Sequence, residues 1–168
     1  MTSLGWPVVV VVGLWAVMSD RIASVWPRLP ERMASHFNGA GRADGWMSRS
    51  GFVAFWLATT GALTLLLFTI AFWIPWAVTN IPNRDYWGDP ARQQLARRRL
   101  ALWCAWFAVG LNLLLASVLE LVLRANLMAT PLSSNHAALL VGFMIFVGVM
   151  LAVLFRMFRP PREASPGP

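Results

Sequence analysis

Two histidines, His36 and His136, and the carboxylates Asp44 and Glu120 are the side chains of this sequence whose types could do chemistry. An imidazole beside a carboxylate can move a proton as a general base, or can hold a metal ion. Their spacing supports neither strongly. There is no HExxH pattern, no pair of histidines at helical spacing and no cysteine cluster. Cys104 is the single cysteine and lies in an apolar run, which excludes an intrachain disulfide and a cysteine-based metal site. The oxygen-bearing residues lack calcium-loop spacing, and neither a phosphate-cradling glycine loop nor a nucleophile elbow occurs. The expectation is therefore no metal, no cofactor and no catalytic residue. His36 is expected to be a structural hydrogen-bonding residue, and His136 an exposed helix-start residue after Ser134 and Asn135.

The elements that must position these groups are set by composition. The 168 residues are 58% hydrophobic and 12% charged, against about a quarter charged in a soluble domain. One small core cannot hide that much apolar surface, so the chain belongs in a bilayer. All 14 basic residues are arginine, which removes lysine chemistry, and the net charge of +7 suits an anionic lipid surface. The arginines flank apolar spans instead of forming a stripe, which argues against nucleic acid.

The pattern predicts an all-α membrane protein with four transmembrane helices in one bundle, residues 1–158, followed by a disordered tail, 159–168. The spans are expected at about 4–19, 51–79, 100–123 and 137–155, with a compact folded loop over 27–50. No arginine precedes Arg21, so the first span reads as an uncleaved anchor with Trp6 and Trp15 near its ends. Trp56 and Trp73 are about 26 Å apart on a helix, close to the separation of the interfacial belts. Pro75 should bend the chain at Ile74, and Trp76 should join Trp73, Trp103 and Trp106 at one interface. The threonines of the second span read as packing residues, and Asp89-Pro90 as the capped start of a helix. Arg97, Arg98 and Arg99 then fall at the lipid headgroups, and Ala138 and Gly142 should allow close helix contact.

An even number of spans puts both termini and the second loop on one side. Eight arginines against six make that side cytoplasmic by the positive-inside rule. On the third span Ala108, Asn112, Ala116 and Glu120 recur every fourth residue and should face the other helices. Asn112 falls near the midplane, where replacement by leucine should cost about 0.6 kcal/mol. Glu120 falls at the far interface, where it should pair with Arg124 one turn on or line a cavity.

The first loop is densest in turn signals. Pro27 and Pro30 enforce extended backbone, Asn38-Gly39 and Asp44-Gly45 are turn dipeptides, and Gly41 lies between them. His36, turned back toward backbone carbonyls or Asp44, would be covered by Phe37 and Trp46. The set Leu29-Pro30, His36-Phe37-Asn38, Gly41 and Asp44-Gly45-Trp46, between a first and a second span, resembles a bacterial domain-of-unknown-function family. That family is found at the N-terminus of SdpI-type toxin-immunity membrane proteins. The resemblance covers about residues 10–70, and residues 81–87, IPNRDYW, extend it into the second loop. Ala34 stands where the family usually has proline, and the chain is shorter than SdpI-type proteins.

The resemblance implies a polytopic protein of the bacterial cytoplasmic membrane, with members linked to immunity against a membrane-active peptide and to sequestering a repressor. It offers His36, Phe37, Asn38, Gly41, Asp44 and Trp46 as a recognition or structural motif and no catalytic residues. The function expected is a binding, signalling or immunity-type module, with a peptide or protein partner at the first or second loop. Two alternatives stand beside it: a membrane hydrolase using His36 with Glu120 or Asp44, and a transporter subunit or structural accessory protein. A pocket joining His36, Asp44 and Glu120 would favour chemistry, and a loop packed shut on itself would favour binding or structure.

Overall fold

The computed structural model describes residues 4–73, 80–133 and 135–161. The expected bend at Pro75, the partner Trp76, Ser134 and the last seven residues of the tail lie outside these. Within them, four helices are long and apolar enough to cross a membrane.

Helix α1, Gly5–Val25, continues through a 3-10 turn, Trp26–Arg28. A hairpin follows, β1 Arg32–Phe37 and β2 Ala43–Ser48. Then come α2 Arg49–Trp73, the short α3 Arg84–Trp87, the 39-residue α4 Pro90–Met128 and α5 Asn135–Met157. The class is helical, and the compact first loop is a two-stranded antiparallel sheet. The first helix also runs well past residue 19, because Arg21, assigned to the loop on charge, has a partner on a neighbouring helix.

Helix α4 is the hub. It touches α1, α2, α5 and β1. Asp89 starts it by accepting a hydrogen bond from the Ala91 amide at 2.8 Å, with Pro90 at the first helical position, where a missing N–H costs least. It ends at Ala129, whose left-handed φ of 51° lets the Ala129 and Thr130 amides close on the Ala125 carbonyl. Ala101, Cys104, Ala105 and Ala108 are buried along its middle, small enough for close approach of α1 and α2.

Two apolar clusters lie at opposite ends. Met18, Ile22, Val25, Met33, Phe52 and Leu123 join α1, hairpin, α2 and α4 at one end, whereas Ile81, Trp87, Ala96 and Phe158 gather at the other. The hairpin and the loop after α4 therefore share one end, and the second loop shares the other with the end of α5. Close α4–α5 contact is not made by Ala138 and Gly142: a methyl group on Gly142 would meet nothing within 4 Å. Gly110 of α4 makes it, because the Phe146 ring occupies the space its side chain would need.

Candidate functional site

The hairpin turn is built on Asn38. Its side-chain oxygen accepts from the Ala40 and Arg42 amides at 3.0 and 3.1 Å, and its backbone bonds Arg42 and Gly41. The left-handed residue is Gly41, at φ 74°. An added Cβ there would also sit 2.9 Å from the Leu132 carbonyl oxygen, whose own amide bonds the Gly41 carbonyl at 2.8 Å. Gly41 thus serves both the turn and its contact with the loop after α4.

Asp44-Gly45 is not a turn, contrary to the dipeptide signal. The register pairs Ala34 with Trp46, His36 with Gly45 and Phe37 with Ala43, so Ser35 is extra on β1 and Asp44 extra on β2. Such bulges re-aim side chains. Here His36 Nδ1–H donates to the Asp44 carboxylate at 2.5 Å. Gly45 permits this pairing, since a Cβ on it would meet the His36 Cβ at 2.9 Å. The pair is open to solvent, with the His36 side chain 74% exposed. Beyond it Trp46 is half exposed beneath the Arg32 guanidinium, 5.9 Å from the ring centre. Phe37 packs on the core cluster instead of covering the histidine.

The hairpin is fixed to the helices by residues that the sequence did not single out. Asn126 of α4 accepts from the Ala34 amide at 2.7 Å and donates to the Ala34 carbonyl at 3.0 Å, occupying the β1 edge as a neighbouring strand would. Arg49, opening α2, donates to the Trp26 and Leu29 carbonyls and stacks on the Trp26 ring at 4.6 Å. A proline at position 34 would lack the amide that Asn126 accepts from.

Glu120 is shared by two arginines. Arg124 donates to it at 2.6 Å, the expected one-turn pair, and Arg21 of α1 grips it through Nε and Nη2 at 2.7 and 3.0 Å. The carboxylate is therefore committed to cations, and His36 is committed to Asp44. His136 donates from Nδ1 to the Ser133 carbonyl at 2.8 Å in the first turn of α5.

Asn112 is fully buried and joins three helices. It accepts from the Trp15 indole of α1 at 3.0 Å and donates to Thr64 of α2 at 2.9 Å and to its own Ala108 carbonyl at 2.8 Å. Trp15, near the end of the expected first span, is thus an inter-helix donor.

Of the arginine cluster, Arg97 and Arg98 are exposed. Arg99 donates to the Met157 carbonyl at 2.5 Å and stacks on Trp87 at 4.8 Å. With the Asn83 and Trp87 donors to the Phe158 carbonyl it closes the end of α5. Among the described residues no group of three or more His, Cys, Asp or Glu side chains is placed to hold a metal ion.

Comparison with known proteins reaches only part of the chain. No curated protein and no solved structure matches it. Residues 5–61, which are α1, the hairpin and the first half of α2, match the family model described as Domain of unknown function (DUF1648).

Proposed function

We propose that the protein is a binding, signalling or immunity-type module of the bacterial cytoplasmic membrane, with the hairpin as its extracytoplasmic recognition element. The observation that carries this reading is the fixing of the hairpin: Asn126 holds β1, Leu132 holds the turn and Arg49 ties the start of α2 to the chain before β1, while Trp46, Arg32 and the His36–Asp44 pair stay open. A surface held this way is preorganised, which lowers the ordering cost of binding. A hydrolase would need His36 and Glu120 around one reacting centre. Glu120 instead lines a cleft with Arg21 on the helices, and His36 stands on the outer face of the hairpin.

In this orientation the termini and the second loop are cytoplasmic, and the loop's exposed arginines form a second docking surface beside the lipid headgroups. The partner is a peptide or protein, and the SdpI-type analogy makes a membrane-active peptide the first to test. A photo-crosslinking residue in place of Trp46 should give a discrete peptide or protein adduct in intact cells. The same residue at exposed Arg98 should give a different one. Adducts with lipid alone at Trp46 would refute the recognition role. A cysteine at Ser48 should react with an impermeant reagent from outside; reaction only after lysis would reverse the orientation.

A further inference from the structure

We propose that the lateral cleft between α1, α4 and α5 is a binding site for one anionic phospholipid, its acyl chain lying along α4 and its phosphate against Arg21 and Arg124. Two cavities of about 500 and 490 Å³ adjoin through Leu113, Ser117 and Leu139. The first is almost wholly apolar, between α4 and α5, with Trp106, Phe143 and Phe146 on its walls. The second opens beside α1 at Val17 and Met18 and ends at Arg21, Glu120 and Asn135. From Trp106 to Glu120 the cleft follows about 21 Å of helix, longer than the roughly 15 Å of one leaflet's hydrocarbon. An acyl chain fits along it with the headgroup at the hairpin end.

The space exists for a reason visible in the sequence. Phe146 packs α5 against Gly110, and toward the hairpin α5 turns Phe143 and then the smaller Gly142, Leu139 and Ala138 into the gap. An added Cβ at Gly142 would meet nothing within 4 Å, so the notch beside it is unfilled.

Charge selects the lipid class. One carboxylate, Glu120, faces two guanidinium groups, so the trio carries a net positive charge at the interface. Arg21 uses Nε and Nη2 on Glu120, and Arg124 uses Nε. A guanidinium has five N–H donors, so both retain donors for phosphate oxygens. The Arg124 side chain is 64% exposed and free to turn to a headgroup. Asn135, first residue of α5, brings the positive end of that helix to the same mouth.

The test uses the full chain, purified in mild detergent and stripped of lipid, with bound lipid counted by native mass spectrometry. Phosphatidylglycerol should be retained at one per chain, about tenfold more tightly than phosphatidylcholine with the same acyl chains. Arg124→Gln should shrink that preference severalfold and leave the Arg21–Glu120 pair. Gly142→Leu, placed in open space, should reduce retention of both lipids without lowering the melting temperature. Inorganic phosphate at millimolar concentration should displace neither lipid. Equal retention of the two lipids, undiminished retention in Gly142→Leu, displacement by inorganic phosphate, or a lipid-free dimer protecting position 142 would each overturn the proposal.

Discussion

The two sides of α4 are put together by different means. Toward α1, α2 and the hairpin it offers amides and a carboxylate: Asn112 to Trp15 and Thr64, Glu120 to Arg21, Asn126 to Ala34. Toward α5 it offers Gly110 to a phenylalanine ring, and Trp103 and Arg99 to backbone carbonyls of Met150 and Met157. Helix α5 is the most apolar of the four, and none of its most apolar stretch is buried, against 33% for α4. In water the most apolar helix would be the most buried. In hydrocarbon the lipid is as good a neighbour as another leucine, and inter-helix polar bonds with small-residue contacts decide which helices meet. The polar bonds that α5 accepts fall on the Met150 and Met157 carbonyls in its C-terminal half, and the rest of the helix stays at the edge of the bundle.

The most damaging test of this contrast is Asn112→Leu. A leucine would strand the Trp15 indole N–H in hydrocarbon and remove the bond to Thr64, so the expected loss is about 3 kcal/mol. That exceeds the 0.6 kcal/mol average expected for an isolated membrane hydrogen bond, because one buried amide serves three helices. Thermal unfolding in detergent measures it, and Asn112→Ser should recover part of the loss. A melting temperature unchanged in Asn112→Leu would mean that apolar packing alone holds α1 and α2 to α4.

On the other side, Gly110→Val should cost about 2 kcal/mol by overpacking against the Phe146 ring. The damage should stay local. Hydrogen exchange should quicken along α5 while α1, α2 and the hairpin keep their protection. Loss of protection in α1 as well would show that the two sides are coupled through α4.

Sequence patterns reached the four helices because apolar runs, the Asp89-Pro90 start and the arginine clusters each report a local property. Asn112 and Glu120 were legible for the same reason, as polar groups repeating on one apolar helix. Their partners were not. Arg21 read as a loop charge and Trp15 only as an aromatic near the end of its span, since nothing local to α1 shows that α4 brings an acceptor to the same depth. The hairpin was legible only as a turn. Its strands depend on bulges at Ser35 and Asp44 and on Asn126 reaching 92 residues back, all of them long-range facts. Asp44-Gly45 misled because the glycine answers a need for space and not for a turn: an added Cβ would meet the His36 Cβ at 2.9 Å.

Gly41→Ala probes the join between hairpin and α4 end. The left-handed φ of 74° disfavours any Cβ, and this one would press on the Leu132 carbonyl. About 1–2 kcal/mol of strain is expected. Proteolysis should then cut the hairpin sooner, with the melting of the helices little changed. Gly39→Ala, where an added Cβ meets nothing within 4 Å, is the matched control. Equal effects of the two would mean that the turn carries no contact with the loop after α4.

The smallest effect belongs to His36, whose pair with Asp44 is largely solvated. An exposed pair contributes little, so His36→Ala should raise the rate of hairpin proteolysis only about twofold. His36→Gln, which keeps a donor for the Asp44 carboxylate, should fall between it and the parent. Neither substitution should change bound metal, because two ligands on an open surface do not complete a zinc site. Metal analysis of the three purified proteins makes the contrast decisive. Stoichiometric zinc in the parent, lost equally in both variants, would replace a local hydrogen bond with a ligand set and return the hydrolase reading to first place. Unchanged metal with graded proteolysis would leave His36 as a brace for the surface that carries Trp46.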